Sequence, residues 1–286
     1  MTNLITDLSQ SKAVTILRIL YPIWFVIGLF GIMYVPSTLI VSEDAAATAN
    51  NIMANELLFN MGIVGSLITQ LIHIVVVLVL YKLFNPVNKN HAILLVVLGL
   101  VGVPIAMLNE LNKVAGLLLL QGSHYLAAFE QAQLQSLMMF FLNLNEQGIL
   151  IATIFWGLWL LPLGYLIYTS GYFPKILGIL MLLAGIGYTL EPFVHLLLPN
   201  YSAIIVPVLY IMVMGELIFM CWITIKGEKI PFLSRILAVA DSFDAMSSNR
   251  AYRKALPPSV CIEELQKNSG TQFDPDVVKA ALTIFT

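Results

Sequence analysis

Glu216 stands inside a run, residues 203–225, that holds no other Asp, Glu, Lys or Arg. An isolated carboxyl at membrane depth is costly, and where one is kept it points to proton or cation chemistry or to hydrogen bonding between helices. Gln70 and His73 lie three apart in another uncharged run, 57–81, and therefore share one helix face. Glu191 and His195 are four apart near the far end of a third run, 176–198, where they can meet each other or reach water. Farther on, Asp241 and Asp244 share a face of a more polar helix; two carboxylates make a poor hard-cation site, and capping or salt-bridge roles are the ordinary use. All four histidines (His73, His91, His124, His195) precede residue 196. Phosphate-cradling glycine loops, a Ser-His-Asp set and zinc-ligand spacings are absent.

The elements that must position these groups follow from composition. Of 286 residues, 59% are apolar and 10% charged, against about 45–50% and about 25% in soluble domains. Fourteen basic and sixteen acidic residues leave a net charge of -2, so no basic field exists to hold nucleic acid. Cys221 and Cys261 do not suggest a disulfide framework.

A bilayer core about 30 Å thick requires about 20 apolar residues per helix. Six runs of that kind occur, at about 19–41, 57–81, 92–109, 147–169, 176–198 and 203–225. The first is too long for the apolar core of a secretory signal and lacks its cleavage site. Lys12, Arg18, Lys82, Lys89, Lys175, Lys226 and Lys229 all fall on one side of such an arrangement, with Lys113 alone opposite. By the positive-inside rule both termini are cytoplasmic. The irregular stretch between the third and fourth runs reads as an extension or re-entrant piece, followed by an amphipathic segment, about 121–145, lying on the outer face. Gly171, Gly178 and Gly185 recur every seven residues, which suits close helix approach.

Residues 1–227 resemble an uncharacterised bacterial family of six-span membrane proteins, a domain of unknown function. The resemblance covers 13–227 and rests on LYKLFNPV at 80–87, IFWGLWLLPLGYLIYT at 154–169 and SGYFPKILGILMLLAGIGY at 170–188, closing with Ile-Lys-Gly at 225–227. It implies a polytopic helix bundle in the bacterial inner (plasma) membrane and supplies no substrate.

From Lys226 the character changes, with eight basic and seven acidic residues over 226–286. Helical periodicity covers 229–249, Pro257 and Pro258 open a second helix, and Asp274-Pro275 caps a third. The tail, 228–286, resembles the last third of an HD-GYP domain, a metal-dependent phosphodiesterase that opens cyclic di-GMP. The matching residues are RILAVADSFDAMSSNRAYRKAL at 235–256 and GTQFDP at 270–275, with Ala251 where that family usually has proline. The resemblance implies a metal-ligand ancestry for Asp241 and a place near substrate for Arg250, Arg253 and Lys254. The family's remaining ligands, several histidines and carboxylates, would precede Arg235, where this chain has its last two spans. A multi-metal cluster that activates water therefore cannot be assembled by the tail alone.

The expected protein is all-α: six transmembrane helices with a small helical cytoplasmic tail, not an enzyme. No cofactor is expected, and the partners are the lipid bilayer and a protein partner or further copies of the chain, with cyclic di-GMP only under the first alternative below. Two alternatives stand beside that reading. One is a cyclic di-GMP phosphodiesterase or nucleotide-responsive sensor using a divalent metal; the other is a small proton- or cation-linked transporter using Glu216.

Overall fold

The computed structural model describes residues 10–122, 124–226, 232–249, 254–270 and 273–285. It is helical throughout, with no strand among those residues. Six helical stretches are long and apolar enough to cross a membrane: Lys12–Leu39, Glu56–Phe84, Lys89–Leu120, Gln131–Ser170, Lys175–Leu197 and Pro199–Ile225.

The first stretch comprises α1 (Gln10–Gly28), a six-residue π-helical segment (Leu29–Tyr34) and α2 (Val35–Leu39). A short helix, α3 (Ala45–Ala54), follows at the face opposite the chain's ends, where the sequence reading had only a loop. The Asp44 carboxylate caps it by accepting from Ala47 N at 2.8 Å, and buried Ile52 anchors it. The second and third stretches are α4 (Glu56–Phe84) and α5 (Lys89–Leu120). At about 1.5 Å per residue, the 32 residues of α5 reach about 48 Å, beyond a hydrocarbon core of about 30 Å.

Two expectations are sharpened or corrected there. The third run does not stop at Asn109, and of the two readings of 114–120 it is the extension that the structure shows, as the end of α5. The charges that seemed to end the span neutralise each other, because Lys113 Nζ lies 3.1 Å from a Glu110 carboxylate oxygen, one helical turn away. Nor does 121–145 form a separate amphipathic helix. From Gln131 onward it is the start of α6 (Gln131–Leu158), opened by a Glu130–Gln133 capping box. One polar residue of this segment is used against α5: Asn109 Nδ2 donates to the Asn145 carbonyl at 2.7 Å, and Asn145 Nδ2 donates to the Asn109 carbonyl at 2.9 Å. Sequence periodicity showed an amphipathic face but not which surface it met.

The fourth stretch is broken once. Pro162 has no N–H for the Leu158 carbonyl, and α6 gives way at Trp159 to α7 (Leu160–Ser170). Gly171 then adopts φ +68, ending α7 in the left-handed conformation that glycine tolerates, so it makes a turn rather than a packing contact. The close approach involves other glycines. On α8 (Lys175–Leu197), Gly178 faces Gly164 of α7 and Gly185 faces Gly157 of α6, so closely that a Cβ at Gly178 would lie 2.7 Å from the Gly164 carbonyl oxygen. The sixth stretch ends the bundle as α9 (Ser202–Lys226). Leu80, Phe84, Leu163, Met181 and Phe219, all fully buried, hold the main core together.

Beyond the bundle come α10 (Phe232–Ser247), α11 (Pro258–Lys267) and α12 (Pro275–Phe285). Val239, Leu265, Phe273, Val277 and Val278 form a core of their own. Asp274 Oδ1 accepts from the backbone of Asp276 and Val277, the N-cap expected from Asp-Pro.

Candidate functional site

A cavity of about 400 Å³ lies among α1, α4, α8, α9 and the α6–α7 break. Its level is set by the helices that line it. Glu216 stands ten residues from the end of α9, His73 eleven from the end of α4, Trp159 eleven from the end of α7 and Tyr188 thirteen from the start of α8. At about 1.5 Å per residue these side chains share one depth, roughly 15–20 Å in from the face bearing the chain's ends, near the middle of a bilayer.

Three of the five polar residues singled out from sequence meet here: Gln70, His73 and Glu216. His73 is 3% exposed, and its Nε2 lies 3.1 Å from the Gly99 carbonyl oxygen of α5. A carbonyl only accepts, so Nε2 carries the hydrogen, and the neutral ring leaves Nδ1 as a bare lone pair. Nδ1 has no hydrogen-bond partner. The ring is held by Trp24 at 5.3 Å and by the edge-on Trp159 at 4.8 Å between centroids. Glu216 shares the cavity lining with Tyr188 of α8.

Glu191 and His195 do not join this site. Glu191 is buried and accepts from the Tyr210 hydroxyl at 2.9 Å, whereas His195 is exposed, so the two do not form the pair their spacing permitted.

Sequence reasoning missed the aromatic members: Tyr21, Trp24, Trp156, Trp159 and Tyr188. A signal existed. Tryptophan in membrane helices favours the two interfaces, while Trp24, Trp156 and Trp159 stand well inside their spans. Tyr21 Oη and Trp24 Nε1 are buried without hydrogen-bond partners, like His73 Nδ1. The rim is apolar and accessible, with Leu29 and Met33 of the π-helical segment and Met214 of α9. Such single-turn π segments recur at functional positions.

Among its described residues the tail shows no comparable site. Asp241 is exposed on α10, as is Asp244, which accepts from Ser248 Oγ at 3.1 Å. Lys254 is exposed; Arg250 and Arg253 lie outside the described residues. No group of three or more His, Cys, Asp or Glu positioned for a metal ion occurs among the described residues. Arg235 donates to the Asp274 carboxylate, joining α10 to the start of α12. That hydrogen bond and the guanidinium charge hold the Asp274 carboxyl below its ordinary range.

The model of a domain of unknown function, DUF4386, matches residues 18–227. The chain belongs to that family. A 31% identical uncharacterised protein of Archaeoglobus fulgidus aligns with the DUF4386 protein over 170 residues, 59% of this chain and 85% of its own length. An HD-domain model matches 224–277. Over that part the DUF4386 protein is 42% identical to a cyclic di-GMP phosphodiesterase of Thermotoga maritima, across 21% of this chain. It is 45% identical to the cyclic di-GMP phosphodiesterase response regulator RpfG of Xanthomonas campestris, across 20% of this chain. The aligned segment spans only 16% and 15% of those two proteins. No solved structure matches the chain.

Proposed function

We propose that this DUF4386 protein is a plasma-membrane binding protein with both termini cytoplasmic, that its midplane cavity holds a small molecule or ion beside Glu216, and that its HD-like tail does not hydrolyse cyclic di-GMP by itself. The observation that carries the binding role is the convergence of Gln70, His73 and Glu216 from α4 and α9 on one cavity. Polar groups used only to join helices would pair with one another; here a buried imidazole nitrogen, a phenol and an indole N–H are without partners. The non-catalytic reading of the tail is supported by its ligand chemistry. No histidine follows His195, Asp241 is exposed, and Asp274 is engaged by Arg235. Multi-metal phosphodiester hydrolysis needs more ligands than that.

The test is cyclic di-GMP hydrolysis by the purified full chain with Mn²⁺ or Fe²⁺, beside Asp241→Ala. No turnover by either is expected. Turnover abolished by Asp241→Ala would instead favour a membrane-anchored phosphodiesterase whose remaining ligands come from another chain, a reading that draws on the 42% identity over the segment containing Asp241. A cation-linked transporter is the other rival. It requires ion-coupled flux that Glu216→Gln removes without altering the folded yield.

A further inference from the structure

We propose that the midplane cavity is selective for an organic cation: a protonated amine on an aromatic or aliphatic body. This rests on the binding role proposed above and names its ligand class. Glu216 is the one acidic side chain lining the cavity, and no Lys or Arg lines it. An anion would meet an uncompensated carboxylate in a low-dielectric site, whereas a cation supplies the missing charge. The walls suit the same sign. Trp24, Trp156 and Tyr188, each part-exposed, offer aromatic surface whose negative quadrupole attracts alkylammonium groups most strongly where water is excluded.

A hard metal ion is a poorer fit, because Ca²⁺ takes six to eight oxygens and this cavity offers a single carboxylate among neutral amide, hydroxyl and aromatic groups. A purely apolar occupant would leave the Glu216 carboxyl unmatched. The volume, about 400 Å³, falls within the range of small-molecule sites.

The experiment uses three compounds sharing a diphenylmethoxy body. One ends in a dimethylammonioethyl group (diphenhydramine), one carries tert-butyl in place of the dimethylammonium, and one is diphenylmethoxyacetate. Each is titrated into the full chain in lipid nanodiscs, with binding read by calorimetry and by tryptophan fluorescence, and with empty nanodiscs subtracted. The ammonium compound is expected to bind at least about tenfold more tightly than either control, or about 1.4 kcal/mol. Glu216→Gln erases that preference while Glu216→Asp retains it, so loss of charge is told apart from loss of fold; Trp24→Phe weakens the ammonium compound several-fold. Equal binding of all three compounds would overturn the cation selectivity and leave a binding cavity. Binding of none would overturn the binding role as well.

Discussion

Replacing Gly157 by alanine tests whether the α6–α8 contact is as close as its geometry states. The added Cβ would lie 2.5 Å from the Gly185 carbonyl oxygen and 2.6 Å from Thr189 N, where ordinary contact begins at 3.4 Å. Both are backbone atoms of α8 and cannot swing aside as a side chain can. The helices must therefore part by about 0.9 Å at this level, and the Gly164–Gly178 contact two turns away opens with them. Overpacking of this kind costs about 1–3 kcal/mol, or about one to two decades in the unfolding equilibrium. The assay is unfolding by SDS in mixed micelles, followed by far-ultraviolet circular dichroism. Gly116→Ala is the control, because its Cβ would meet Met138 at 3.5 Å, an ordinary contact, so it is expected to be neutral or slightly stabilising. Equal stability of the two variants would refute the argument from close approach.

Two further outcomes are expected. Lys113→Ala strands the Glu110 carboxylate in a site where the two side chains are 5% and 8% exposed; it costs about 3–5 kcal/mol by SDS unfolding, and adding Glu110→Gln recovers much of the loss. In the tail, a carboxyl held low in the folded state contributes stability that is complete above the ordinary carboxylate range and lost as pH falls through the lowered value. Protection factors over α10 and α12, taken relative to the intrinsic amide exchange rate at each pH, should therefore fall as pH drops below about 4, and Arg235→Ala should show the lower protection already at neutral pH.

Much of the bundle was legible because six apolar runs of span length, four of them without a charge, leave few other folds for a chain this apolar. The errors fell where charge was read as a boundary. Glu110 and Lys113 cancel within one turn of α5, so the helix continues past them, and Asn145 pairs across to Asn109 instead of lying on a surface. The site was half legible. Glu216, Gln70 and His73 were visible as polar residues in apolar runs, but their convergence depends on how α4 and α9 are rotated, which a single helix pattern does not state. Trp159 reaches the cavity through the break before Pro162, and the hydrogen bond that orients His73 comes from a glycine carbonyl, which has no side-chain signature.

The accessible Leu29, Met33 and Met214 place the mouth of the cavity on the lateral surface of the bundle, at the level of the acyl chains. Under the binding role proposed above, a solute arriving there is drawn from the lipid phase. Its occupancy then scales with its mole fraction in the membrane, so half-saturation expressed as an aqueous concentration shifts with the lipid-to-protein ratio of the preparation and with the solute's partition coefficient. For this protein the natural unit of affinity is molecules per lipid.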